Sequence, residues 1–214
     1  MNREKIQIAF IYLVILLLIL GIGWVGYYFY AEHQKWQGYR NDPAKKAFIE
    51  RIDNILQKPK GDRTIEDYTS LGNSYDSIGE YSLAVGAYKS SLGKGYSAVA
   101  AIDLANAYVE NKEYKKAENQ YYELIKKTPG AMDSYLKLAD LYKKDWQGKK
   151  SDTLGILLQG LSANQGSYDV LVALGQFYRD VNNDPVKALE YLKKAYQVNK
   201  NDSLAKDIKD LESK

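Results

Sequence analysis

AVAAIDLANAYVENKEYKKAENQYYELIKKTPG, residues 98–130, holds two short apolar-striped runs on either side of a polar turn. Leu104, Ala105 and Tyr108 share one face of the first run. Ala117, Tyr121 and Leu124 share one face of the second, before Pro129 and Gly130 close the unit. Helical periodicity on both sides of a turn predicts a pair of short helices. Neither helix can bury its stripe alone, so the pair needs neighbours.

The chain supplies them. Leu71-Gly72, Leu104-Ala105, Leu138-Ala139 and Leu174-Gly175 follow one another at steps of 33, 34 and 36 residues. Three residues after each small member stands a tyrosine: Tyr75, Tyr108, Tyr142 and Tyr178. A second helix follows in each copy. Its paired positions read as Ala84 and Tyr88, Ala117 and Tyr121, Leu154 and Leu158, and Ala188 and Leu192. Small residues let two helices approach, and the tyrosines fill the space beside them with their hydroxyls at the edge. Of 20 tyrosines, 15 lie at or beyond Tyr68, as a repeated packing position requires.

This pattern resembles the tetratricopeptide repeat, W-x2-L-G-x2-Y, then A-x3-F, then P, at a period of about 34 residues. The resemblance covers about residues 65–200. It departs at Ala101, where a large residue is expected, and in the third copy, where Trp146-Gln-Gly-Lys-Lys lengthens the turn. It implies an all-α solenoid of four hairpins, at about 65–97, 98–130, 131–166 and 167–200, inside a repeat region of 64–200. Residues 201–214 read as a capping helix begun by Asn201-Asp202, with Leu204, Ile208 and Leu211 in one stripe.

Ahead of the repeats, residues 1–5 form a short basic tail with Arg3 and Lys5. Residues 6–30 carry no charge and end in Trp24, Tyr27, Tyr28, Phe29 and Tyr30. Twenty-five helical residues span roughly 37 Å, enough for a hydrocarbon core of about 30 Å, and the rings suit the headgroup level. A cleaved signal peptide is the rival, but small residues are missing at the expected cleavage site. The expectation is an uncleaved transmembrane helix. A short basic tail kept in the cytoplasm places the C-terminal part outside it, across a bacterial inner membrane. Residues 31–63 read as a juxtamembrane segment and an N-capping helix. That helix starts at Asn41 or Asp42 with Pro43 at its first position, and carries Phe48, Ile52 and Ile55 or Leu56.

Composition limits function. Lys and Arg total 30 against 27 Asp and Glu, with the signs interspersed, which gives no reason to expect a nucleic-acid partner. With no cysteine and a single His33, the chain has no thiol chemistry and no histidine metal cluster. Phosphate loops and catalytic motifs are missing too, so no catalytic residue, cofactor or metal is expected. Carboxylates such as Glu118 and Glu123 read as members of solvated helical charge patterns.

The family resemblance implies that the first helices of the pairs line a concave groove. On that basis Asn73, Asn106, Asp140 and Gln176 face it, with Asp76, Val109, Lys143 and Arg179 three residues on and Thr69, Ile102, Leu136 and Val172 before them. Glu66 and Asp76 make the first end acidic; Lys137, Lys143, Lys144 and Arg179 make the far end more basic. Thr69 and Ile102 stand where a carboxylate-clamp lysine is expected, which argues against chaperone C-terminal tails. Trp146 is either an exposed contact or a ring folded back on the third repeat. The expected function is a membrane-anchored scaffold that binds a protein or peptide and touches lipid through residues 6–30. A chaperone-like binder of emerging chains and a self-associating structural protein are the alternatives.

Overall fold

The computed structural model describes the backbone of residues 3–213 and the side chains of residues 21–213 except residue 26. The chain divides into two compact units, residues 1–57 and 58–214.

The first unit is a 39-residue helix α1 (Arg3–Asn41) and a shorter α2 (Pro43–Leu56). Asp42 separates them: its carboxylate accepts from Ala44 N–H at 2.9 Å, and Pro43 takes the first helical position. Arg40 bonds both oxygens of Asp53 at 3.1 and 3.2 Å, tying α2 to the end of α1. Ile49, Ile52 and Ile55 are the buried stripe of α2, while Leu56 is exposed. Much of the expected span, residues 6–30, has side chains outside the described set. Among the described residues no helix is long and apolar enough to cross a membrane. The aromatics that follow stand exposed, with Trp24 at 69% and Tyr27 at 71%.

The second unit is a stack of helical hairpins. They are α3 (Ile65–Ser77) with α4 (Tyr81–Lys94), α5 (Ala98–Glu110) with α6 (Tyr114–Lys127), α7 (Met132–Asp140) with α8 (Thr153–Ala163), and α9 (Tyr168–Asp180) with α10 (Pro185–Val198). The helix α11 (Asp202–Glu212) follows, capped by Asn201, and sets Leu204 and Ile208 against Leu171, Leu192 and Ala195. Thr64 opens α3 with a capping box to Asp67, and Ser97 and Ser167 cap α5 and α9.

Three hairpins turn through one left-handed residue: Gly79, Lys112 and Asn183. The next N–H in the first two, Glu80 and Glu113, bonds Tyr75 O and Tyr108 O at 2.8 Å, closing the helix end. The third hairpin differs. A π turn (Leu141–Asp145) and a 3-10 turn (Gln147–Asp152) replace the tight connection. Trp146 folds back there, half-buried, with its ring 6.2 Å from those of Tyr114 and Tyr142. The insertion also moves the register of α8. Thr153 and Leu157 are the buried pair, whereas Leu158 is 40% exposed, so the expected pair Leu154 and Leu158 is displaced by one residue.

The small positions work by contact. A Cβ on Gly72 would lie 2.4 Å from the Tyr88 ring, and one on Gly175 would lie 2.4 Å from Leu192. Glu118 corrects the expectation of a solvated carboxylate. It is 3% exposed and accepts the Tyr142 hydroxyl at 2.5 Å, a Lys115 ammonium, and the charge of Lys149 at 3.8 Å. Glu123 remains exposed.

Candidate functional site

The first helices of the hairpins present three cavities in series. One, of about 230 Å³, is lined by Asn73, Asp76, Ser77, Tyr88, Asp103 and Asn106. The next, of about 340 Å³, shares Asp76 and Asn106 with it and adds Val109, Glu110, Tyr121, Lys137, Asp140, Leu141, Lys144 and Asp145. The third, of about 280 Å³, shares Asp140 and Lys144 with the second and adds Leu136, Ala139, Lys143, Leu157, Ala173, Gln176 and Phe177. Shared linings make one channel along the stack.

Its floor comes from the same position of each second helix: Tyr88, Tyr121 and Leu157. The first two are buried and donate their hydroxyls to Asn73 Oδ1 and Asn106 Oδ1, each at 2.7 Å. Each bond occupies the amide oxygen. It leaves the amide NH2 donors of Asn73 and Asn106 without a partner among the described residues. Burial, with nearby carboxylates, raises both tyrosine pKa values, so these hydroxyls remain protonated donors. The third hairpin has Leu157 at this position and Asp140 at the amide position, so the floor turns apolar there.

Charge changes along the same line. Burial pushes the Asp76 carboxyl above its ordinary range, and burial with the charge of Asp76 does the same to Asp103. Neither has an ion pair among the described residues. Further along, Asp140 is paired with Lys144 at 3.0 Å.

Asn73, Asp76, Asn106, Val109, Leu136, Asp140, Lys143 and Gln176 line the channel; the other four residues named from sequence are engaged elsewhere. Thr69 bonds Ile65 O and Ser91 Oγ, both at 2.9 Å. Ile102 packs on the main core and Val172 on the terminal cluster. Arg179 pairs with Asp180 at 2.7 Å and lies 3.7 Å from Asp207. Asp103 and Glu110 were not among the residues named from sequence. They stand three before and four after Asn106, so helical spacing alone places them on its face. Lys144, four after Asp140, follows by the same spacing, and the π turn adds Asp145.

No protein-family model matches the chain, and no curated protein matches it in sequence. Solved structures do. MamA shares 23% identity at a TM-score of 0.57, over 71% of this chain and 88% of its own. TTC0263, a thermophilic TPR protein of Thermus thermophilus, shares 18% at 0.51, over 69% and 81%. YrrB, described as a TPR protein with an unusual peptide-binding site, shares 20% at 0.50, over 68% and 74%. The fold of residues 58–214 is therefore a tetratricopeptide-type solenoid.

Proposed function

We propose that this chain is a protein-interaction scaffold. It takes a peptide segment of a partner in the channel along α3, α5, α7 and α9, and residues 6–30 hold it at a bilayer. The observation that carries the proposal is the pair of tyrosine-braced amides. Each of Tyr88 and Tyr121 fixes an asparagine so that its donors are free to meet the carbonyls of an extended chain. The uncharged run 6–30, ending in exposed aromatic rings, supports the bilayer. In this arrangement the repeats lie outside the cytoplasm of a bacterial inner membrane.

A photoreactive residue at position 109 should give one dominant crosslinked partner in native membranes, and Asn73→Ala with Gln176→Ala should weaken it at least about tenfold. A smear of products points instead to a chaperone of emerging chains, and a crosslink indifferent to the substitutions overturns the groove. Alkaline extraction of the membranes should leave the chain in the pellet; release into the supernatant rules out the anchor.

A further inference from the structure

Some carboxylates along the repeats have a cation: Asp67 meets Lys58 at 2.7 Å, Asp140 meets Lys144 at 3.0 Å, and Lys116 pairs with Glu113. Asp76 and Asp103 are two that have none among the described residues. They line one cavity and repel each other, Asp103 half-buried and Asp76 exposed. Such a pair costs stability, and a ligand cation would offset that cost. At the other end of the channel Leu136, Ala139 and Ala173, over the buried Leu157 and Phe177, give the cavity an apolar part beside Lys143 and Lys144. A second observation links the two ends: the floor position changes from tyrosine, with its braced amide, to Leu157.

Resting on the groove function proposed above, we infer that the partner is a peptide of fixed direction and charge. It sets a lysine or arginine against Asp76 and Asp103, and an aliphatic or aromatic side chain into the cavity of Leu136, Leu157 and Phe177. The acidic cavity lies between α3 and α5, and the apolar one between α7 and α9. Two helix spacings of 8–10 Å separate them, roughly 16–20 Å, or about 5–6 residues of extended chain.

The test is selection from a random twelve-residue display library on the purified full-length chain and on its Asp76→Asn/Asp103→Asn variant. This variant removes mutual repulsion, so it should melt no lower than the parent. The parent should enrich lysine or arginine about tenfold over the input, with an apolar residue about 5–6 positions away. The variant should lose the basic enrichment and keep the apolar one. A neutral or acidic pool from the parent, or basic enrichment that survives in the variant, overturns the charge assignment and leaves the groove standing. If the parent enriches nothing, the groove itself fails, and this inference with it.

Discussion

Glu118→Ala should cost the repeat stack about 2–3 kcal/mol, read as a drop in the urea midpoint or of several degrees in Tm. Lys115 and Lys149 are not the main reason. Their side chains are 69% and 36% exposed, so both ammonium groups regain water when the carboxylate goes. The loss falls on Tyr142, 1% exposed, whose hydroxyl has Glu118 Oε1 at 2.5 Å and only the Tyr122 hydroxyl, at 3.4 Å, besides. An orphaned buried donor costs about 1–3 kcal/mol, and the deleted side chain leaves a cavity as well. Glu118→Gln keeps an acceptor in place and should lose about 1 kcal/mol. Glu118→Leu with Tyr142→Phe removes both polar partners and should recover most of the loss. A double variant as unstable as the sum of the single ones would show that the Glu118–Tyr142 bond is not the source.

The same carboxylate predicts a pH dependence. Burial by itself raises the Glu118 pKa, but the bonds from Lys115 and Tyr142 and the charge of Lys149 outweigh it, and the net shift is downward from 4.5. A folded pKa below the unfolded one means stabilisation that is complete above the unfolded value and lost as pH falls through the folded one. The stability gap between the parent and Glu118→Gln should therefore be constant near neutrality and narrow below about pH 4.5.

Much of the repeat region is legible from residue spacing because packing repeats with the sequence. Leu104, Ala105 and Tyr108 are all buried, and so are their counterparts Leu174, Gly175 and Tyr178. The third hairpin is less legible, for a countable reason. The π and 3-10 turns shift the phase of α8, and a threonine stands where alanine stands in its neighbours. Leu154 and Leu158 therefore look like the apolar pair although Thr153 and Leu157 fill it. Glu118 is illegible from its own helix. Its hydroxyl partner is Tyr142, 24 residues away, which leaves no local mark. In the channel, the family resemblance places Asn73 and Asn106. It does not reveal that Tyr88 and Tyr121 set the orientation of their amides, because that bond joins two helices.

Gly72→Ala should destabilise the first hairpin by about 2 kcal/mol, although alanine is the better helix former by about 1 kcal/mol. The added Cβ would lie 2.4 Å from Tyr88 Cε1, 2.6 Å from Cδ1 and 2.7 Å from Cζ. The ring is 3% exposed and held at its hydroxyl by Asn73, so it has little room to retreat. In the second hairpin the equivalent Ala105 is buried in the same core as Tyr121, so an alanine is accommodated there, whereas at Gly72 the Tyr88 ring occupies the space. Overpacking of this kind costs about 1–3 kcal/mol, and it outweighs the gain in propensity when the neighbour is pinned. Tyr88→Phe should not rescue the variant, since the clashing atoms are ring carbons. Tyr88→Leu should rescue part of it, giving a coupling of about 1 kcal/mol in a double-mutant cycle. The consequence reaches the channel. A displaced Tyr88 ring releases the amide of Asn73, so peptide binding should weaken in Gly72→Ala even at temperatures where the stack is fully folded. A variant as stable as the parent that binds equally well would show that the hairpin can widen freely, and that the close approach at Gly72 does not set the first amide.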